Sequence, residues 1–232
     1  MNPLPEWFRP VSEYILREGV PETLRMAAIA VVASLVIGVV LGTLMTIRFR
    51  PLQWLIRFYV EVWRGLPILV TVLFIFWLPA FDVGRHHVQL SAYQSAALAL
   101  TLWGSAQVAE ATRGAVQSIP KEQHEAAAAL GFGWVGRQTF VILPQALRRM
   151  VPPLVGLLVN TIQNTTIAFA IGVNEVLQAG QRQFENVTSG LTGQPVAPSY
   201  APFLIFGYVA LLFFIICFPL TRLAAYLEKR LT

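Results

Sequence analysis

Five stretches of this chain run without a charged residue for long enough to cross a lipid bilayer: residues 26–47, 65–81, 88–109, 150–174 and 196–221. About 20 helical residues, rising ~1.5 Å each, cover a hydrocarbon core. In that solvent every backbone N–H and C=O must be bonded internally, so a spanning segment is a helix or part of a closed barrel. The strict alternation of a barrel strand is absent. The chain is therefore confined to an all-α integral-membrane fold with about five spans. The second span is expected to begin earlier than residue 65, near Ile56, with Glu61 and Arg64 in its first turns. Composition agrees: 56% of the 232 residues are hydrophobic and 12% are charged, whereas a soluble domain carries roughly a quarter.

The N-terminus does not read as a cleavable leader. Pro3, Pro5, Glu6, Glu13, Glu18 and Glu22 interrupt it, and the apolar run that starts at Met26 is too long for a signal-peptide core. The expected organisation is an extracytoplasmic segment over residues 1–21, followed by one transmembrane domain over 22–231. Cys217 is the single cysteine, so intrachain disulfides and cysteine-cluster metal sites are excluded. His86 and His87 form a polar outer turn without further ligands around them, and no metal is expected.

The basic residues set the orientation. Arg48, Arg50, Arg57 and Arg64 follow the first span. Arg113, Lys121, Arg137, Arg148 and Arg149 lie between the third and fourth, and Arg222, Lys229 and Arg230 follow the fifth. The other side holds Arg9, Arg17, Arg25, Arg85 and Arg182 with most of the acids. The positive-inside rule places the N-terminus outside and the C-terminus in the cytoplasm. A formal net charge of +5 could suggest nucleic acid, but the arginines flank apolar runs and form no basic stripe. Nucleic-acid binding is not expected; the bilayer is the expected environment.

The longest inside loop, 110–150, contains one polar, glycine-spaced segment. Ser118 is a possible N-cap, with Pro120 tolerated in the first turn. Glu122 and Glu125 fall where the helix dipole favours acid, and the alanines after Glu125 favour helix. Gly131 and Gly133 then end it, and residues 135–143 resume as helix before Pro144. The expectation is a short helix, a glycine turn and a second helix at the membrane surface. No G-x-x-x-x-G-K-[ST] loop occurs, and neither Lys121 nor Lys229 follows such a loop.

This segment, Glu125-Ala126-Ala127, then Gly131, then Val141-Ile142-Leu143-Pro144, resembles the EAA loop of membrane subunits of bacterial ABC importers. Valine at 141, where the family carries isoleucine, is the one departure. Tyr59 to Pro67 (YVEVWRGLP), Glu110 to Pro120 (EATRGAVQSIP), Leu143-Pro144-Gln145-Ala146 and Gln163-Asn164-Thr165-Thr166 are similar to the polar amino-acid uptake subfamily. The resemblance implies the type I ABC importer transmembrane fold, with residues 118–144 as a cytoplasmic coupling helix and loop. Glu125, Ala126, Ala127, Gly131, Leu143 and Pro144 would contact an ATPase. It also implies a second permease subunit, an ATPase dimer carrying ATP and Mg, an extracytoplasmic amino-acid-binding protein, and a bacterial inner-membrane location. No cofactor is expected in this chain. A polar amino acid is the implied substrate; the nearby arginines point to glutamate or aspartate within that class, and another small solute is the alternative.

Polar residues inside spans mark candidate paths. Asn160, Gln163 and Asn164 share a helical face in the fourth span, with Thr165 adjoining. Amides offer donors to a carboxylate and acceptors to an ammonium without the burial cost of a fixed charge. That face lines the substrate path, or it bonds helices together. Glu61 with Arg64, and Glu110 with Arg113, are spaced i, i+3: a gate constellation, or local ion pairs anchoring span ends. Gln94, Thr101 and Ser105 add polar positions to the third span. Residues 174–199, with Glu175, Arg182 and Glu185, form an outer loop that could meet a binding protein. An intramembrane enzyme would need a nucleophile with a base, or paired acids, within the spans, and no such constellation occurs.

Overall fold

The computed structural model describes residues 5–47, 49–78, 90–189 and 198–231. Arg48, Arg85, His86, His87 and the expected span ends at Phe81, Val88 and Val196 lie outside them. Every regular element among the described residues is helical: α1 (Phe8–Leu44), α2 (Arg50–Gly65), α3 (Ile68–Trp77), α4 (Ala92–Gln117), α5 (Lys121–Ala129), α6 (Trp134–Ile171), α7 (Val176–Ser189) and α8 (Ala201–Leu231).

By length and composition α1, α6 and α8 can each cross a membrane; α2 and α3 qualify together, but a bend of 104° separates them. The expected second span is thus broken. Pro67 disfavours helical backbone at the residue before it, and Leu66 is extended, with φ −79° and ψ 136°. Ile56, Glu61 and Arg64 consequently belong to α2, a helix distinct from the apolar α3. The expected third span is helical in α4, but Gln94, Ser95, Thr101, Ser105 and Gln107 dilute its apolar character, and it is not among the helices that qualify as membrane-crossing. The first span extends back to Phe8 through a π-turn at Ile15–Gly19. Pro144 does not stop the loop's second helix, because a π segment at Arg137–Ile142 leads directly into the α-helical stretch Leu143–Asn164, which holds Pro152 and Pro153 inside it. That helix tightens to 3-10 geometry over Thr165–Ile171 and ends at Gly172, whose φ is 79°.

The chain forms two compact units. One comprises Met1–Ile29, Ile68–Ala99 and Thr161–Pro219; the other comprises Ala30–Pro67, Leu100–Asn160 and Leu220–Thr232. In the first, Phe8, Val11 and Ile15 of α1 pack against Val176, Ala179 and Val187 of α7 and Ile205, Val209 and Leu212 of α8. Thr23 Oγ1 accepts the Val176 N–H at 3.1 Å. Glu175 caps α7, its two carboxylate oxygens accepting the N–H groups of Leu177 and Gln178 at 2.9 and 2.8 Å.

In the second unit, Met45, Ile56, Val60, Ala106 and Ala109 form a core with Leu41, Leu52, Tyr59 and Trp63 around them. The close approach of α1 to α4 depends on small residues. A Cβ on Gly38 would stand 2.4 Å from Val108 Cβ. Ser34 Oγ donates to the Thr101 carbonyl at 3.2 Å. Ser34, Gly38 and Gly42 recur every four residues, the small-residue stripe by which membrane helices bring their backbones together.

Candidate coupling and translocation sites

Helix α5 starts after Pro120, whose backbone is extended and makes no side-chain cap. Ser118 is not the N-cap: its hydroxyl donates to the Ala115 carbonyl at 2.7 Å, and its own carbonyl accepts Arg149 Nη1 at 2.7 Å, so it closes the end of α4. At the other end, Phe132 N–H reaches the Ala127 carbonyl at 3.1 Å and Gly131 N–H reaches Ala128 at 2.9 Å. This pair of bonds is a Schellman stop, with Gly131 at φ 83° supplying the left-handed residue.

The three residues of the EAA triplet sit in different surroundings. Glu125 shares a helical face with Lys121, His124 and Ala128, and all four line a cavity of about 920 Å³ with Met45, Phe49, Trp134, Arg137 and Gln138. Ala127 is buried, whereas Ala126 is exposed beside Glu122 and Ala129. Leu143 is half-buried and Pro144 exposed, both in α6. Burial, then the charge of Arg137, pushes the His124 imidazole below its ordinary pKa. Sequence reading missed the apolar rim of this turn. Leu130 is 78% exposed, Val135 69% and Phe140 71%, a cluster of bare apolar side chains around the glycine stop and the first turns of α6. The signal was available, as Leu130, Phe132, Val135 and Phe140 clustered around the glycines of the loop.

The two acid–arginine spacings end differently. Arg113 forks onto Glu110, with Nε donating to Oε2 at 3.0 Å and Nη2 to Oε1. Arg64 reaches from α2 to α4, donating Nε–H to Gln107 Oε1 at 3.2 Å. Arg57, Glu61, Arg64, Glu110 and Arg113 line one cavity of about 240 Å³, floored by Met45 and Val60. Tyr59 OH and Ser105 Oγ, 2.7 Å apart, tie the same two helices. The structure therefore brings both pairs to a single charged chamber.

Asn160 lines a separate cavity of about 310 Å³ with Trp103, Gln107, Pro153, Gly156 and Leu157. Gln107 is the residue the sequence reading passed over. It accepts from Arg64 and also borders the Asn160 cavity, linking the charged chamber to the amide-bearing helix. Further along α6, Gln163 is exposed and Asn164 half-buried. Thr165 is fully buried, donating to the Ile162 carbonyl at 2.7 Å. Glu175, read from sequence as part of an outer loop, is instead a buried cap.

The chain matches the family of binding-protein-dependent transport system inner membrane components over residues 18–232. A probable glutamine ABC transporter permease protein of Bacillus subtilis is 35% identical over 92% of both chains. The glutamine transport system permease of Escherichia coli K12 is 32% identical over 94% of this chain and 93% of its own. The glutamate transport system permease of Corynebacterium glutamicum is 32% identical over 94% and 75%. Among solved structures, an amino acid ABC transporter with histidines superposes with a TM-score of 0.75 at 24% identity, covering 96% of this chain and 95% of that one. The MetNI methionine ABC transporter gives 0.70 at 20% identity, covering 97% and 99%. These likenesses establish the type I importer fold. With the family match covering residues 18–232 and these relatives aligned over nine-tenths of its length, the chain belongs to the inner-membrane permease components of binding-protein-dependent ABC transport systems.

Proposed function

We propose that this permease carries a polar amino acid of the glutamine class inward by alternating access, driven by a separate ATPase pair that grips helix α5. The observation that carries this reading is the charged chamber. A free amino acid brings both a carboxylate and an ammonium, and the chamber offers arginines to one and glutamates to the other within about 240 Å³. The glutamine and glutamate permeases among its relatives support the same substrate class. Three arginines against two glutamates favour glutamate as the second substrate. Asn160 and Gln107 extend a polar track from the chamber. Gln163, Asn164 and Thr165, further along α6, are the other candidates for the path.

In this account Glu125, Ala126, Ala127, Gly131, Leu143 and Pro144 belong to the coupling surface, and ATP with Mg resides on the partner ATPase. A second permease subunit completes the pathway, and a binding protein delivers substrate from outside. The arginine distribution supports an N-terminus outside and a C-terminus in the cytoplasm. The test is uptake of labelled glutamine and glutamate by proteoliposomes containing the whole complex, with competition among amino acids. ATP-dependent uptake of glutamine, with glutamate competing, is expected. Uptake of some other solute, with neither amino acid competing, would overturn the substrate assignment.

A further inference from the structure

The cavity beside α5 contains more than a coupling helix needs. Gln138 is only 4% exposed, and its side-chain oxygen has no hydrogen-bond partner. The neighbouring Arg137 Nε is buried and equally unpartnered. Buried polar atoms are nearly always hydrogen-bonded, so a donor and an acceptor here await a ligand. Lys121 adds a cation on one wall, and Glu125 places a carboxylate on the same wall. Met45, Ile47, Phe49, Val116 and Trp134 supply an apolar wall. At about 920 Å³ the cavity is far larger than a phosphate ion requires and lies in the range of pockets that hold amphiphilic molecules. It is lined by the residues just beyond Leu44, where a membrane-crossing helix ends, and by Trp134, where another begins.

We infer that this cavity binds the headgroup of an anionic, hydroxylated phospholipid, of which phosphatidylglycerol is the simplest. The phosphodiester accepts from Arg137 Nε and Lys121, one glycerol hydroxyl donates to Gln138 Oε1 and the other to Glu125, and the start of an acyl chain lies on the apolar wall. A choline headgroup has no donor for Gln138 and sets its own cation against Lys121 and Arg137. Basic pockets at the cytoplasmic ends of membrane helices are suited to such headgroups.

The experiment is native mass spectrometry of the purified permease–ATPase complex titrated with dioleoylphosphatidylglycerol, dioleoylphosphatidylcholine or inorganic phosphate. The complex should retain phosphatidylglycerol about tenfold more strongly than phosphatidylcholine, the equivalent of one charge-assisted hydrogen bond. Arg137→Gln combined with Gln138→Leu should abolish the difference. Lys121→Gln, a change at an exposed residue that leaves folding intact, should reduce it on its own. Equal retention of both lipids by the unaltered complex, as expected if the ATPase fills the cavity, would overturn the inference. Retention unchanged in both variants would also overturn it, and displacement of the lipid by inorganic phosphate would reassign the site to a soluble phosphate.

Discussion

Gly42 lies against Ala109 so closely that a Cβ on the glycine would stand 2.3 Å from the Ala109 carbonyl oxygen. Thr112 Cβ would be 2.5 Å away. The contact sets how near α1 and α4 come, and through α4 it positions Glu110 and Arg113 at the chamber. In a membrane, where apolar burial between helices gains little over lipid, packing of this kind is a principal source of helix association.

Gly42→Val should therefore lower the melting midpoint of the purified protein, at a cost of at least about 1–3 kcal/mol from overpacking. Gly207, in α8, faces open space, and a Cβ added there would meet nothing within 4 Å. Gly207→Ala should accordingly leave the midpoint unchanged or slightly raised. Equal effects of the two substitutions would contradict the close-approach reading.

Gly131→Val forces a β-branched side chain onto a backbone with φ 83°. The left-handed conformation costs an L-residue about 1–2 kcal/mol, so the Schellman stop should open and the exposed rim of Leu130, Phe132 and Val135 should lose its presentation. Pull-down of the ATPase from detergent extracts should fall, while the permease stays folded, because the strain is released by local opening of an exposed turn and the added side chain displaces no packed neighbour.

Burial pushes the Glu175 carboxyl from 4.5 up to about 7, against the opposing effect of the Leu177 and Gln178 N–H groups. The folded protein thus holds this proton more tightly than the unfolded chain does. Stability contributed by the protonated form is full below about pH 4.5, declines as pH rises and is lost above about pH 7. The total change is of order 3 kcal/mol. Melting midpoints measured across this window should fall more steeply for the unaltered protein than for Glu175→Gln. Parallel curves would contradict the assignment.

Gln107→Leu removes the acceptor for Arg64 while preserving bulk. The bond is exposed and solvent-screened, so its loss costs about 0.5–1.5 kcal/mol and labelled uptake should fall by roughly two- to tenfold. Unchanged uptake would detach Gln107 from the path. Asn164→Leu offers a companion measurement: transport and substrate affinity that are both unaffected would remove the α6 amide face from the pathway.

Much of this architecture was readable in one dimension, for identifiable reasons. Runs without charge delimit helices in lipid because the penalty for an unpaired backbone is large, so the positions of α1, α3, α6 and α8 were legible. The Gly131 stop was legible because few residues besides glycine end a helix in that way. Where the reading failed, non-local contacts prevailed. Ser118 resembles an N-cap, but Arg149, far along the chain, makes it a C-terminal contact for α4. Pro67 separates α2 from α3, whereas Pro144 is absorbed beside a π segment, and the sequence distinguishes the two poorly. Gln107 carried no local mark, since its significance comes from Arg64 on another helix. The Ser34-Gly38-Gly42 stripe had a recognisable spacing that hydropathy alone obscured.

The central claim is that an external ATPase drives this permease through α5 and its glycine stop. ATP-dependent glutamine uptake by proteoliposomes holding the complete complex, compared for the unaltered protein and Gly131→Val, tests it directly. The account predicts that uptake collapses in the variant while the permease remains folded and the ATPase retains its own hydrolysis. Undiminished ATP-driven uptake with the turn disrupted, or uptake by the permease without any ATPase, would contradict it.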